Sequence, residues 1–276
     1  MKTYKNYLFD LYGTLADIHT NEDSPAFWRN ISRLLGMQGV DWAPVELKEK
    51  YKAEIARQEA QMRQHLPEGA EPEVDLSPVF RSFFEDTGVS VDDRAIADFA
   101  RTFRLLSIRR LKLFPGVLGM LECLHRQGKN VYLLSNAQSL FTRPELILLG
   151  LDTRLDGSIL SSEVGRKKPD PAFFQMILEK YDLDPAETVM VGNDDVCDCW
   201  GAAKAGLDSF YVCTPQSPEL VNPLPANCQG LDKIADLANT LSGNRLSQEH
   251  CQNVIWRADT AAPLGSPFGR AVSRTG

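Results

Sequence analysis

Short apolar runs alternate with helical stretches along most of the chain, and this alternation limits the possible folds more than any other feature. The apolar runs have the length and composition of buried strands, and they lie at residues 5–11, 130–135, 188–192 and 209–213, with a weaker one at 157–160. Stretches with helical periodicity lie between them, at residues 117–126, 171–181 and 199–205. Because strands that alternate with helices form parallel sheets covered on both faces, we predict an α/β fold with a doubly wound parallel sheet.

A long helical region interrupts this pattern after the first strand. Two charged helical stretches, at residues 45–65 and 92–111, lie on either side of a Pro- and Glu-rich break at residues 66–78. No strand pattern interrupts the region. We therefore predict that residues 18–107 form an all-helical insertion.

Two further segments complete the predicted domain organisation. Residues 1–17 and 108–241 contain the strands and helices of the α/β core. Residues 242–276 are polar and contain only one short apolar run. Because so few apolar side chains cannot offset the entropy lost on ordering, we predict that this last segment is a disordered tail.

Charge and composition exclude several classes of protein. The chain has 37 acidic and 30 basic side chains and a net charge of -7, which argues against a nucleic-acid-binding protein or a binder of anionic membranes. No apolar run is long enough to span a membrane and the N-terminus has no signal-peptide pattern, so we expect a cytoplasmic protein. The six cysteines form no C-x-x-C pair, which favours reduced thiols, and the four histidines are scattered. A metal site would therefore consist of carboxylates and other oxygen donors.

Polar residues follow the predicted strands at the ends where parallel sheets bind their ligands. They are Asp10, Tyr12 and Thr14 after the first strand, Ser135 and Asn136 after the next, Lys168 in a later loop, and Asn193, Asp194 and Asp198 after the strand at 188–192. Each of them alone is typical of a helix cap, a turn or a solvated surface. Because they lie at successive strand ends, we expect them to surround one pocket for a small anionic substrate.

The order and spacing of these residues resemble those of the haloacid dehalogenase superfamily. Its four motifs are matched at residues 10–14 (DLYGT), 134–136 (LSN), 168–171 (KPDP) and 192–202. The resemblance covers residues 5–213 and implies a Rossmann-like core. It also implies that the helical insertion is similar to the C1 cap of subfamily I, which closes over the site and selects the substrate.

The resemblance implies a hydrolase in which Asp10 is the nucleophile. A carboxylate at a strand tip can attack phosphorus or carbon and form an aspartyl ester, which water then hydrolyses. The hydroxyl groups of Thr14 and Ser135 and the ammonium group of Lys168 would neutralise the bound anion. Tyr12 of the first motif and Asn136 of the second complete the predicted catalytic set.

The resemblance also implies Mg²⁺ as the cofactor. This ion prefers octahedral oxygen sites with few protein ligands and several waters. Asp10, the Tyr12 carbonyl and one side chain of the fourth motif could supply those ligands. The fourth motif carries two acids. If they are five residues apart, Asn193 stands where the first of them is expected. If they are four residues apart, Asp194 and Asp198 match both. Both assignments stay open.

Tyr12 is a departure from the phosphatase pattern. Phosphatases of this superfamily carry an aspartate two residues after the nucleophile, where it protonates the leaving alkoxide, and a phenol is a poor substitute. A tyrosine there resembles the 2-haloacid dehalogenases, whose halide needs no proton. Those enzymes use an aromatic hydroxyl six residues after the lysine, where this chain has Phe174, and a cap arginine, for which Arg29, Arg33 and Arg57 are candidates.

Three functions follow from these observations. The first is a Mg²⁺-dependent phosphatase that acts on a small phosphorylated metabolite, which the acidic fourth motif favours. The second is a 2-haloacid dehalogenase, which Tyr12 favours. The third is a catalytically weak ligand-binding or regulatory protein that keeps the fold, which the missing general acid favours. The sequence does not indicate the oligomeric state.

Overall fold

A computed structural model describes residues 2–241 of the 276-residue chain. The strands are β1 (Asn6–Phe9), β2 (Ala16–Thr20), β3 (Ile108–Leu113), β4 (Asn130–Ser135), β5 (Gly157–Leu160), β6 (Thr188–Gly192), β7 (Asp208–Val212) and β8 (Cys228–Leu231). The helices are α1 (Pro25–Gly36), α2 (Pro44–Arg63), α3 (Leu76–Glu85), α4 (Asp93–Ser107), α5 (Val117–Arg126), α6 (Ser139–Leu148), α7 (Ser161–Val164), α8 (Pro171–Lys180), α9 (Gly201–Lys204) and α10 (Asp236–Leu241). A 3₁₀ turn covers Pro185–Glu187, and a π-helical turn covers Asp195–Trp200.

A six-stranded parallel sheet forms the centre of the α/β core, in the order β5–β4–β1–β6–β7–β8. Its central strands are buried on both faces because helices cover both sides. On one face Phe9 and Val131 pack into a cluster with α5, and on the other Leu8 and Leu134 pack with α8. The chain therefore has the predicted Rossmann-like α/β fold.

Helices α1 to α4 have a hydrophobic core of their own, which is rich in aromatic side chains. Phe80, Phe99 and Phe103 contact one another with ring centroids 4.9 to 6.3 Å apart. Phe103 also stacks on Phe141 of α6, at 6.2 Å, which joins this cluster to the α/β core. We refer to α1–α4 and their connections as the cap.

The cap is connected to the core through an antiparallel ribbon of β2 and β3. Ala16 pairs with Leu113 at its core end, and β2 begins directly after the loop that carries Tyr12 and Thr14. The predicted domain limits at residues 17/18 and 107/108 fall at this ribbon. We keep them as a prediction.

The structure confirms most of the predicted elements and corrects two predictions. The predicted helix over residues 92–111 is wrong after Ser107, because Ile108–Leu113 forms β3. Ribbon β2–β3 also means that the region after residue 18 is not free of strands. Residues 108–113 form a strand because they pair with β2, about 90 residues earlier in the chain. Helical periodicity alone does not reveal such a distant pairing.

Two further predictions concern membrane-spanning helices and the C-terminal tail. No helix within residues 2–241 combines the length and apolar character needed to cross a membrane. The predicted tail at residues 242–276 lies outside the described residues.

Candidate active site

Side chains from three separate segments meet at Asp10, which directly follows β1. The Lys168 ammonium group donates to Asp10 Oδ1 at 2.8 Å, and the Ser135 hydroxyl group donates to the same oxygen at 3.0 Å. Ser135 ends β4, the parallel neighbour of β1, which places the two side chains at one edge of the sheet. Asp10 is 8% exposed, so its carboxylate is nearly enclosed but accessible.

Asn136 holds the loop that carries Lys168. Its amide nitrogen donates to the Lys168 carbonyl at 3.0 Å, and its amide oxygen accepts from the Lys168 N–H at 2.8 Å. The peptide bond between Lys168 and Pro169 is cis. Asn136 therefore fixes the main chain from which the ammonium group reaches Asp10.

Lys168 also pairs with Asp198, at 2.7 Å, and both side chains are almost completely buried. Burial alone would lower the pKa of Lys168, but the charges of Asp10 and Asp198 outweigh it and raise the pKa above its usual value. Burial raises the pKa of Asp198 to about 7 against the opposing effect of Lys168. Lys168 thus stays charged and reduces the repulsion between two carboxylates that face one pocket.

Thr14 connects Asp10 to the fourth motif. Its hydroxyl group lies 3.0 Å from Asn193 Oδ1 and 3.5 Å from Asp10 Oδ2, so these two oxygens flank one hydroxyl. Gly13 makes this arrangement possible because it has a φ of +87°, and a Cβ there would lie 2.5 Å from the Asn193 amide.

The acids of the fourth motif have different surroundings. Asp194 Oδ1 accepts from the Cys197 N–H at 2.8 Å and so caps the π-helical turn, while its own N–H donates to Asp198 Oδ2 at 3.0 Å. Asp195 is buried and accepts from the N–H of Val221 at 3.0 Å, which anchors the loop after β7. Asp195 therefore holds a loop and does not line the cavity at the nucleophile.

A cavity of about 320 Å³ opens above Asp10. The predicted site residues among its lining are Asp10, Tyr12, Ser135, Asn136, Lys168, Asn193, Asp194 and Asp198. Thr14 is not part of the lining, but its hydroxyl group contacts Asp10 and Asn193, which are. Nearly all of the predicted residues are thus brought together.

The oxygen donors of this cavity suit Mg²⁺. Within residues 2–241 no three His, Cys, Asp or Glu side chains are grouped as a metal site, but Mg²⁺ needs few protein ligands when it keeps several waters. Both carboxylate oxygens of Asp198 are engaged, one by Lys168 and one by the Asp194 N–H. Asp10 and Asn193 both contact the Thr14 hydroxyl group, so their oxygens lie near each other and could bind one hard cation.

The Tyr12 side chain is directed towards helix α6. Its hydroxyl group donates to Glu145 and also lies 2.9 Å from the Thr142 hydroxyl group. Burial, and next the charge of Glu145, raise the pKa of Tyr12 well above its usual value. The phenol is therefore a poor proton donor to any group other than Glu145.

Arg104 and Glu145 are residues that the sequence analysis missed. Arg104 Nε donates to Glu145 Oε1 at 2.6 Å, and the two side chains are only 13% and 6% exposed. Arg104 belongs to cap helix α4 and Glu145 to core helix α6, so the pair connects the two parts. Neither residue belongs to a short motif, and no local pattern could have identified them.

A second cleft, of about 610 Å³, lies between the cap and the strand ends. Tyr12 and Asn136 line both this cleft and the smaller cavity, so the two spaces adjoin. Arg104 lines the cleft, whereas the predicted cap arginines are exposed and absent from its lining; they are Arg29, Arg33 and Arg57. Phe174 is completely buried against the sheet, and a Cβ on Gly201 would lie 2.8 Å from its ring.

Cap residues 71–76, which we call the docking segment, pair with the loop that carries the buried lysine. The Glu73 N–H donates to the Gly165 carbonyl at 3.2 Å, and the Lys167 N–H donates to the Glu71 carbonyl at 3.0 Å. The cap is therefore attached to the core at a second place besides the β2–β3 ribbon.

Gln138 holds the same docking segment from the other side. Its amide oxygen accepts from the Leu76 N–H at 3.0 Å, and its amide nitrogen donates to the Val74 carbonyl at 2.7 Å and to Glu73 Oε1 at 2.9 Å. Ser161 donates to the second carboxylate oxygen of Glu73 at 3.2 Å. Because Gln138 follows the second motif by two residues, the docking segment contacts the loops of both the second and the third motif.

Comparison with known proteins agrees with this site. A family model described as haloacid dehalogenase-like hydrolase matches residues 4–206. A phosphoserine phosphatase of Thermus thermophilus is 33% identical over 144 residues, which are 51% of this chain and 57% of that protein. The (S)-2-haloacid dehalogenase 1 of a Pseudomonas species is 27% identical over 139 residues, which are 50% of this chain and 60% of that protein.

Solved structures support the same fold. A HAD phosphatase from Thermococcus onnurineus aligns with a TM-score of 0.55 and 21% identity, over 88% of this chain and all of that one. The chain matches a little over half the length of the first of its sequence relatives. The family model nevertheless covers most of the chain, including all four motifs. The chain therefore belongs to the haloacid dehalogenase-like hydrolases.

Proposed function

We propose that this hydrolase is a Mg²⁺-dependent phosphatase that acts on a small phosphorylated metabolite, with Asp10 as the nucleophile. The observation that carries the proposal is the Asp10 carboxylate, held by Lys168 and Ser135 in a small cavity lined by oxygen donors. The phosphatase relative supports the reaction class.

The proposed reaction has two displacements. In the first, a carboxylate oxygen of Asp10 forms a bond to phosphorus, the bond between phosphorus and the leaving oxygen breaks, and the departing oxygen takes its proton from water, since Tyr12 donates its own to Glu145. In the second, water attacks phosphorus and releases inorganic phosphate and the Asp10 carboxylate. Lys168 and the Ser135 hydroxyl group would stabilise negative charge on the phosphoryl oxygens during both steps.

Mg²⁺ would be held by Asp10, the Tyr12 carbonyl and the Asn193 amide oxygen. When bound, the ion would neutralise charge on the phosphoryl group. We favour Asn193 over Asp194 because Asn193 lies beside Asp10 across Thr14, whereas Asp194 caps the following turn. Asp198 would act indirectly, through its ion pair with Lys168.

Substitution of the nucleophile tests the proposal. We expect Asp10→Asn to lower turnover of p-nitrophenyl phosphate by at least about 10³-fold, because an amide cannot form the aspartyl ester. Thermal unfolding of the variant is the control for folding. A folded variant that keeps a tenth of the wild-type rate would rule out Asp10 as the nucleophile.

Tyr12 favours a second candidate, a 2-haloacid dehalogenase, because a leaving halide needs no general acid. Phe174, which is buried in the core, cannot supply the hydroxyl group found at that position in such enzymes. Assays of 2-chloropropionate and p-nitrophenyl phosphate hydrolysis with and without EDTA separate the two functions. Halide release that persists in EDTA, without phosphate release in Mg²⁺, would establish the second candidate.

A further inference from the structure

The charged side chains of the larger cleft restrict which alcohol part of a phosphate ester it can bind. Under the proposed function, the phosphoryl group occupies the cavity above Asp10, and the alcohol must extend into the adjoining cleft past Tyr12 and Asn136. A charged leaving group would meet the charged side chains of that cleft without the screening of bulk water. These side chains therefore determine substrate selectivity.

Arg104, which lines the cleft, is already occupied. Its guanidinium pairs with the buried Glu145 carboxylate at 2.6 Å, and the same carboxylate accepts the Tyr12 hydroxyl group. Two of its five N–H groups point to Glu145, so a substrate carboxylate would have to share the charge of Arg104 with a carboxylate that is already buried beside it. Among residues 2–241, the cleft therefore offers a carboxylate-bearing substrate no arginine that is free of another carboxylate.

Two carboxylates line the same cleft, and within residues 2–241 neither of them makes an ion pair. Glu73 is bonded to Gln138 and Ser161. Glu22 lies before α1, and its charged neighbour is Arg104. Burial raises the pKa of Glu22, and Arg104 offsets this effect only in part.

The remaining ionisable side chains of the cleft do not change this balance. His19 lies at the exposed rim on β2, and Tyr51 is a neutral phenol beside Glu22. When Glu22 is ionised, the cluster of Arg104, Glu145 and Glu22 has one negative charge in excess among residues 2–241, and Glu22 is where a cation could compensate it.

We propose that Glu22 determines specificity and that the cleft selects phosphate monoesters whose alcohol carries an ammonium or hydroxyl group over those that carry a carboxylate. An ammonium group would face the carboxylate of Glu22. A carboxylate would face Glu22 and Glu73, and the cation that lines the cleft within residues 2–241, Arg104, is already paired with Glu145. This inference rests on the proposed phosphatase function and adds the class of alcohol to it.

Three esters that differ only at the end of a two-carbon alcohol test the proposal: 2-aminoethyl phosphate, 2-hydroxyethyl phosphate and carboxymethyl phosphate. Each competes against p-nitrophenyl phosphate in the presence of Mg²⁺, so that its affinity is measured whether or not it turns over quickly. We expect the order ammonium, hydroxyl, carboxylate, with a difference of at least about tenfold between the first and the last.

A matched pair of variants locates the effect. Glu22→Gln should reduce the ratio between the ammonium and carboxylate esters at least about fivefold, because it removes one charge without changing the shape of the side chain. Asp23→Asn removes the same charge one residue later, from a side chain that is 84% exposed and paired with Lys48, and should leave the ratio unchanged.

The outcomes separate this inference from the function on which it rests. Preference for carboxymethyl phosphate, or a ratio that Glu22→Gln does not change, would overturn the specificity proposal while p-nitrophenyl phosphate hydrolysis upholds the phosphatase. If wild type hydrolyses no phosphate ester in Mg²⁺, including the aryl ester, both proposals fail together.

Discussion

The Tyr12 hydroxyl group is directed at Glu145 and Thr142, so its proton is already donated within the protein. From the sequence alone, this residue stands in the place of the missing general acid, for which a phenol is a poor substitute. Its hydrogen bonds support a different role, in which the ring forms a wall shared by the two adjoining spaces and the hydroxyl group stabilises Glu145.

Removal of that hydroxyl group distinguishes the two roles. For Tyr12→Phe we expect p-nitrophenyl phosphate turnover within about threefold of wild type, because an aryl leaving group needs no acid. The free energy of unfolding should fall by about 1–2 kcal/mol, since a buried carboxylate loses a donor. The comparison with an alkyl phosphate is decisive: a selective loss of about 100-fold there would show that the phenol takes part in proton transfer.

Asn193 offers a second residue-scale test, because it stands beside the nucleophile. Asn193→Asp is nearly isosteric but places a second carboxylate near Asp10. Without Mg²⁺ the like charges should lower the melting temperature, and with Mg²⁺ the added charge should raise it above that of wild type and strengthen binding about tenfold. Calorimetric titration and thermal unfolding measure both effects.

Asp194→Asn is the matched control for this substitution. It removes one charge from the neighbouring residue, which caps the following turn, and it should weaken Mg²⁺ binding less than Asn193→Ala does. The opposite order would assign the metal to Asp194.

At the scale of elements, the sequence predicted the strands best where they are buried on both faces. Strands β4 and β6 have their predicted limits because a short apolar run bounded by turns has few other interpretations. Strand β3 was missed because its burial alternates and its pairing with β2 depends on residues far away in the chain. Local periodicity carries no information about such a partner.

Gln138 is another element-scale feature that sequence patterns do not reveal, because its partners lie more than 60 residues away. For Gln138→Leu we expect an unfolding free energy about 2 kcal/mol lower, from the three hydrogen bonds lost at the docking segment. Turnover should also fall, since that segment contacts the loop of Lys168. Urea denaturation and aryl phosphate kinetics report the two changes.

Gln175→Leu makes the same chemical change on the exposed face of α8, where the amide bonds only to Glu179. It should alter neither quantity noticeably. Equal effects of the two variants would mean that the docking segment is not held by Gln138.

At the scale of the whole molecule, the candidate site divides into a predictable part and an unpredictable part. Most of the candidate site residues follow strand ends, and their convergence could be predicted from parallel-sheet topology. The cleft could not be predicted, because Arg104 and Glu145 come from a cap helix and a core helix whose relative positions depend on the packing of the entire cap.

The Arg104–Glu145 pair allows a test of how strongly cap and core are joined. Either Arg104→Met or Glu145→Leu alone leaves a buried charge without its partner, so each should lower the free energy of unfolding by about 3 kcal/mol. The double variant should lose much less than the sum. Denaturation of the four proteins gives the coupling energy, and strictly additive losses would show that the pair is not coupled.

The β2–β3 ribbon and the docking segment, which attach the cap to the core, also limit the size of the molecules that can reach Asp10. While the ribbon and the docking segment both hold, the route to Asp10 is a cleft of about 610 Å³, which is the volume of about 20 water molecules. Under the proposed function, we expect this space to admit a metabolite of a few carbon atoms and to exclude a phosphorylated side chain on the surface of a folded protein. The attached cap would then select substrates by size before the charges of the cleft select among them.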